Sequence, residues 1–290
     1  MVGARAPPGK RRSCGARGRL PHAAARDYQK SQAPPARAES AVNFLLHHHF
    51  AALELGSEAS GIGAMLPDLW RMADRRARTG PRQDPGIAAG ACAEGPLAEL
   101  LAGIEHHLEI DRWFHASPEL AFGERACAER LRSSGATAPR LSLFAHIVWE
   151  MALDGALVRA AGLAGILDRI RRGFASTAEA RCEAIRARGI VRVFASGDEI
   201  ALFEQRMARL TSEIARGPWI ESYQSGPGLA ACLAGVRSRI GMPPLIGDDR
   251  EKLAEALDPI ATAAAGALEA LLASRERALA WAASSPRGSL

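Results

Sequence analysis

The stretch PLAELLAGIEHHLEIDRWFH, residues 96–115, decides how the rest of the chain is read. Apolar side chains stand at 97, 100, 101, 104, 108, 110 and 114, close to the spacing of one helical face. Pro96 suits a first helical turn, where its missing N–H would have no partner anyway. The segment therefore predicts a helix. Within it, GIEHHLEIDRWFH (103–115) gathers three of the chain's eight histidines.

The neighbouring sequence has the same character. Hydrophobic residues make up 48% of the chain but aromatics only 5%, and alanine, leucine, arginine and glutamate dominate. These side chains lose little rotamer freedom in a helix, so the composition predicts an all-α fold with enough apolar material for a substantial core. NFLLHHHFAALEL (43–55) reads as a helix. GIGAMLPDLWRMADRRAR (61–78) reads as a glycine-rich loop running into a basic helix, and 79–95 as a Pro/Gly connection. Ser117 and Gly135 bracket the next helix as N-cap and stop. RLSLFAHIVWEMALDGALVRAAG (140–162) is apolar enough to lie at the centre of the core. Further helices are expected over 163–174, 177–188, 198–216, 219–239 and 250–283, with a break within 218–228. GIVRVFAS (189–196) has local strand character, but one short run makes no sheet, and a connection or helical turn is expected there. The predicted organisation is a basic, disordered extension over 1–41, a helical domain over 42–245 and a C-terminal helix over 246–290 that packs on the body or on a partner.

The net charge of +5 is unevenly placed: residues 1–40 hold nine basic residues against two acids, +7, which leaves −2 for the remainder. Polyanion binding is thus an argument about the arm alone, and nucleic acid is not an expected partner of the body. The arm is read as sequence not needed for folding, with nucleic-acid binding and a transit peptide as the alternatives. Five scattered cysteines without a Cys-x-x-Cys pair point to a reducing compartment. No uncharged apolar run long enough for a membrane helix and no secretory core are visible, so a cytoplasmic protein without a membrane role is expected.

Residues four apart share a helical face, so His107 and Asp111 project together and can offer a nitrogen and an oxygen to one divalent metal. His106 is turned about 100° away from His107, and Glu105 and Glu109 read as solvated charges. An amphipathic helix with exposed histidines is the alternative. His146, Glu150 and Asp154 repeat the four-residue step on the apolar 140–162 helix, where ionised carboxylates need a metal or an arginine as partner. Of His47, His48 and His49, successive turns of about 100° prevent all three from facing one site. Asp68, near the glycines, is either a ligand or a helix N-terminal acid.

VNFLLHHHF (42–50) resembles the Met-Asn-Phe-Leu-Ala-His-x-His-Leu start of the acyl carrier protein phosphodiesterases. GAMLPDLW is similar to that family's Gly-Asn-Leu-Leu-x-Asp-Phe, and GIEHHLEID to its Gly-Ile-x-x-His-x-x-Ile-Asp. WIESYQSGPGLAACLAGVRSR is similar to its Trp-Leu-x-x-Tyr stretch with later leucines and arginines. The four motifs follow in order over about 42–240. The resemblance implies an all-helical bundle distantly related to the HD-type phosphohydrolases, and a divalent metal, manganese or magnesium. The implied reaction is hydrolysis of the phosphodiester that joins 4′-phosphopantetheine to acyl carrier protein. By position it implies His47, His49, Asp68, His107 and Asp111 as metal-site residues, and residues 1–41 as an extension or a misassigned start. The chain departs from the pattern at His146, Glu150 and Met151, which stand where the family has Asp-x-x-x-Asp-His, and at Leu108 in place of an arginine.

On this reading Asp68, His146 and Glu150 take part in catalysis, as further ligands or as the base that orients water. Arg71 and Arg75, with Arg76 and Arg78 beyond them, are expected on one helix where they meet phosphate or the acidic carrier protein. The alternatives are an HD-like phosphohydrolase with a small phosphoester substrate and a non-catalytic helical binding protein.

Overall fold

The computed structural model describes residues 43–79, 94–135, 140–245 and 247–284. The expectations for 1–41 and for most of the 79–95 connection lie outside these residues. The described residues hold eleven α-helices, one 3-10 helix and no strand, so the fold is all-α. In chain order the helices are α1 (Phe44–Leu55), α2 (Glu58–Ala73), α3 (Gly95–His115), α4 (Pro118–Ser133), α5 (Leu141–Ala161) and α6 (Leu163–Ser176). They continue with α7 (Ala178–Ala187), α8 (Gly197–Arg216), α9 (Pro218–Ser222), α10 (Gly226–Arg239) and α11 (Asp248–Ser284). The 189–196 piece carries the 3-10 turn Ile190–Val193, and the expected break near 218–228 separates α9 from α10.

Local chemistry fixes several ends. The Ser117 hydroxyl accepts from the Leu120 N–H at the start of α4, and Gly135 takes the left-handed backbone just past its end. α1 begins differently. Its N-cap Asn43 makes no side-chain cap, and the carboxylate of Asp154, from the middle of α5, accepts from the Leu45 and Leu46 N–H groups at 3.2 and 2.9 Å. A buried carboxyl group at a helix N-terminus satisfies two orphan donors at once, and it anchors the turn that carries His47. Asp154 thus finds backbone N–H groups where an arginine or metal was expected.

The glycine-rich reading of 61–63 as a loop is corrected: α2 starts at Glu58, capped by Ser57, and runs through both glycines and Pro67. The reason lies in α3. A Cβ on Gly63 would come within 2.2 Å of the Leu100 carbonyl oxygen, and one on Gly103 within 2.0 Å of the Ser60 carbonyl oxygen. Glycine is required at both positions for α2 and α3 to touch backbone to backbone. α2 also stops earlier than expected, at Ala73, where Asp74 turns extended. Arg75, Arg76 and Arg78 therefore lie beyond the helix and not along it.

α5 is the central core helix, with Phe144, Ile147, Val148, Trp149, Met151 and Leu153 all buried. α4, α10 and α11 pack around it, while α1, α2 and α3 form the other flank. α11 lies against the body through Leu253, Leu257, Ile260, Leu268 and Leu271. By length and composition α5 and residues Asp248–Ala280 are apolar enough to cross a membrane, yet most of α5's apolar surface is already inside the core.

A buried histidine and carboxylate cluster as candidate metal centre

α3 brings His107, Asp111 and His115 along one face at four-residue steps. His47 enters from α1, Asp68 from α2, and His146 and Glu150 from α5. The rings of His47 and His107 lie 4.0 Å apart, and ligand-capable atoms of His47, His107 and Asp111 fall within 4.8 Å of one another. Asp68 comes to 3.8 Å from His107 Nε2. Asp111 meets His115 Nε2 at 3.1 Å, the His115 ring stacks on that of His146 at 5.0 Å, and His146 Nε2 reaches Glu150 at 3.1 Å. His115, His146 and Glu150 form a second group with the same spacing criterion. The cluster runs from the solvent edge, where Asp111 and His115 are partly exposed, to the interior, where Asp68 and His47 are sealed.

The hydrogen bonds define which atoms are available. His107 Nδ1–H donates to the Ala64 carbonyl at 2.9 Å, so its Nε2 carries the lone pair and faces Asp68. A backbone acceptor that fixes the tautomer in this way is the usual support of a metal-bound histidine. His47 is 1% exposed, yet neither of its ring nitrogens has a hydrogen-bond partner. Asp68 Oδ2 and Glu150 Oε2 are likewise buried and unpartnered. Leaving one buried polar group unsatisfied costs about 1–3 kcal/mol, and three side chains of this one cluster carry such atoms, in a set of groups that could hold a metal ion.

The charges agree with that reading. Burial, and then the neighbouring His107, holds His47 well below the usual imidazole range. Burial brings His107 down to about 4 against the opposing pull of Asp111. Both rings are therefore neutral, the form that ligates. Burial, and then repulsion from Glu150, raises Asp68 well above the carboxylate range. Burial works against the Asp111 charge too, but the bond to His115 and the nearby histidines bring its carboxyl below the usual range. A cation offsets repulsion of this kind. The donor set of imidazole nitrogens and carboxylate oxygens fits a divalent metal, and His47, His107, Asp111 and Asp68 are the residues that can hold it.

His115 and Glu124 were not among the sequence candidates. His115 continues the His107–Asp111 stripe by one more four-residue step, a signal visible in the sequence. Glu124 accepts from His146 Nδ1–H at 2.6 Å and fixes that ring, but it comes from another helix and no spacing pointed to it. His49 does not join the cluster. It lines a separate hollow with Ser57, Glu58 and Arg169 on the other side of α1. His48 is buried beside Glu58 at 3.5 Å.

The expected arginine patch is also dispersed. Arg75 donates to the Arg239 carbonyl at 2.8 Å, Arg76 pairs with Asp74 and Glu199, and Arg78 donates to the Arg75 carbonyl. Arg71 alone among them stays by the cluster, where its charge acts on Asp68 and His107. Glu105 and Glu109 are exposed, in keeping with the expected solvated charges, and they also pair with Arg188 and Arg275. His106 Nε2–H donates to Glu54 at 3.0 Å, and Arg275 of α11 grips Glu54 through two nitrogens at 2.8 and 2.6 Å.

Comparison of the chain with protein-family models, curated proteins and solved structures finds no match.

Proposed function

We propose that the protein is a divalent-metal-dependent phosphodiester hydrolase, with the phosphopantetheine linkage of holo acyl carrier protein as its substrate. The observation that carries the metal half of this reading is His47: a sealed imidazole with two unpartnered nitrogens, 4.0 Å from a second histidine whose free nitrogen faces a carboxylate. The substrate half rests on the four motifs that resemble the acyl carrier protein phosphodiesterases.

A bound divalent cation supplies Lewis acidity toward a phosphoryl oxygen and lowers the pKa of water. The chain's own residues do the rest. His47, His107, Asp111 and Asp68 place the ligand atoms, and the Ala64 carbonyl holds His107 in the ligating tautomer. His146, steadied by Glu124 and 3.1 Å from Glu150, holds a proton at Nε2 and passes it to the leaving oxygen. Arg71, whose charge is felt at Asp68 and His107, would meet phosphate charge gathered there. Arg75 donates to the Arg239 carbonyl, outside the cluster.

The test is direct. The purified full chain is assayed for bound metal and then incubated with holo acyl carrier protein and Mn²⁺, and the product is weighed by mass spectrometry. Loss of the phosphopantetheine mass supports the whole reading. Cleavage of a generic phosphodiester with the carrier protein untouched would keep the hydrolase and replace the substrate with a small phosphoester. A chain that binds no Mn²⁺, Mg²⁺, Zn²⁺ or Fe²⁺ would leave the helical binding protein.

A further inference from the structure

Asp111 and His115 stand four residues apart on α3, His146 and Glu150 four apart on α5, and the two pairs meet through their stacked rings. In each pair an imidazole Nε2 lies 3.1 Å from a carboxylate oxygen. Ligand-capable atoms of His115, His146 and Glu150 all fall within 4.8 Å of one another. Around a tetrahedral zinc ion, with bonds of about 2.0–2.1 Å, neighbouring ligand atoms stand roughly 3.3 Å apart. Both pairs therefore already have the spacing of two ligands on one ion.

Protons alone leave this group incomplete. Glu150 is 2% exposed and its Oε2 has no partner. Protons at both Nε2 atoms serve Asp111 and Glu150, but they put two like charges into rings whose centres are 5.0 Å apart. One divalent cation brings the same charge to a single point, shared by both nitrogens, and it gives Glu150 Oε2 a partner. The surrounding charge suits a second ion. Asp68, Asp111, Glu124 and Glu150 bring four negative charges when ionised, which two dications neutralise, with Arg71 acting against them.

An ion can also reach the site. Asp111 and His115 keep 42% and 33% of their side-chain surface, so the ring of His115 can turn toward an ion arriving from solvent. His146 is the fixed side: Glu124 accepts from its Nδ1–H and leaves Nε2 directed at Glu150.

We propose that Asp111, His115, His146 and Glu150 form a second cation site, distinct from the one around His47 and His107 and suited to zinc. Two imidazole nitrogens with two carboxylate oxygens are a donor set that zinc accepts in four-coordination. Asp111 is common to both sites, with one carboxylate oxygen for each ion. The zinc ion displaces the proton between His146 Nε2 and Glu150, which leaves to solvent, while Nδ1–H stays on Glu124. A filled site and an acid at His146 Nε2 exclude each other, so the hydrolysis proposed above runs with this second site empty. The site itself does not depend on that reaction.

The experiment titrates the untagged full chain, first stripped of metal, with Zn²⁺ by calorimetry at neutral pH, beside His115→Ala and His47→Ala. The wild type should take up two equivalents. His115→Ala, at a partly exposed position, should weaken one of them at least about 100-fold, keep the other and barely move the metal-free thermal midpoint. His47→Ala should lose the other equivalent and keep the one that depends on His115. A single equivalent that His47→Ala abolishes and His115→Ala leaves intact overturns the proposal and keeps the deep metal centre. A single equivalent with the opposite response supports the proposal and takes the cation away from His47. A single equivalent that both substitutions abolish makes one site of all these residues, and overturns it. So does a second equivalent indifferent to His115→Ala, which lies elsewhere on the surface, and so does a chain that takes up no Zn²⁺.

Discussion

His106 and His107 are adjacent on α3 and almost equally buried, at 6% and 5% exposure, yet they belong to different kinds of interior. His106 donates to Glu54, which is clamped by Arg275 from α11, and Arg275 in turn reaches Glu109 and lies 5.5 Å from the Trp113 ring centre. His107 faces the other way, onto His47, Asp68 and Asp111, where several buried polar atoms find no partner. One face of the helix is a strut of paired groups that ties the C-terminal helix to the body, although His106 Nδ1 within it is also buried without a partner. The other holds buried polar atoms without partners, which cost stability unless something binds. A turn of about 100° between neighbouring residues is enough to separate structure from candidate chemistry.

The contrast can be broken at its base. Gly103→Ala drives a Cβ toward the Ser60 carbonyl oxygen, 2.0 Å away, so α2 and α3 must separate and both faces fail together. A loss of about 3 kcal/mol or more is expected in urea unfolding, along with loss of Mn²⁺ binding. Arg275→Ala strikes only the strut. It leaves Glu54 without its guanidinium and should cost about 3 kcal/mol, while the Mn²⁺ affinity of the folded protein, measured by calorimetry, stays unchanged.

Asp111→Ala strikes only the other face. Mn²⁺ affinity should fall by at least about 100-fold, and the metal-free thermal midpoint should move little. A metal-free midpoint that collapses would make Asp111 a structural partner of His115 and remove it from the ligand set. The strut also carries a pH signature. Burial opposes the Glu54 charge, but the Arg275 and His106 bonds outweigh it and hold the carboxyl at about 2, against an ordinary 4.5. Because the folded value is the lower one, the clamp's contribution is complete above about pH 4.5 and drains away as the pH falls toward 2. Urea midpoints between pH 5 and 2.5 should therefore drop more steeply for the wild type than for Arg275→Ala. The smallest effect is expected at His49→Ala, which should leave Mn²⁺ affinity within about twofold, less than 0.5 kcal/mol, because His49 lies across α1 from the cluster.

Much of this was legible in the sequence. The period of 96–115 and the four-residue steps His107–Asp111 and His146–Glu150 are properties of a single helix, and the structure keeps them. His115 stands on the same stripe, one four-residue step beyond Asp111. The failures have different causes. Gly61 and Gly63 read as loop because nothing local shows that the His48 ring of α1 and the Leu100 carbonyl of α3 lie against them. The arginines after Asp68 read as one helical patch because the stop at Ala73 depends on Asp74, whose side chain takes up both the backbone and the guanidinium of Arg76. The family resemblance sets His49 beside His47, and helical position alone does not say which of the three neighbouring histidines will face the cluster.

By itself the sequence determined the all-α character of the chain, most of its helix limits and the helical faces on which histidines and carboxylates stand, since periodicity and capping are local physics. Only the tertiary structure decided which of those faces meet. Asp154 reaching across to cap α1, Gly63 and Gly103 letting α2 and α3 close, and Arg275 returning from the last helix to Glu54 are contacts between distant residues. Burial and pairing, which separate a ligand from a strut, exist only once those contacts have formed.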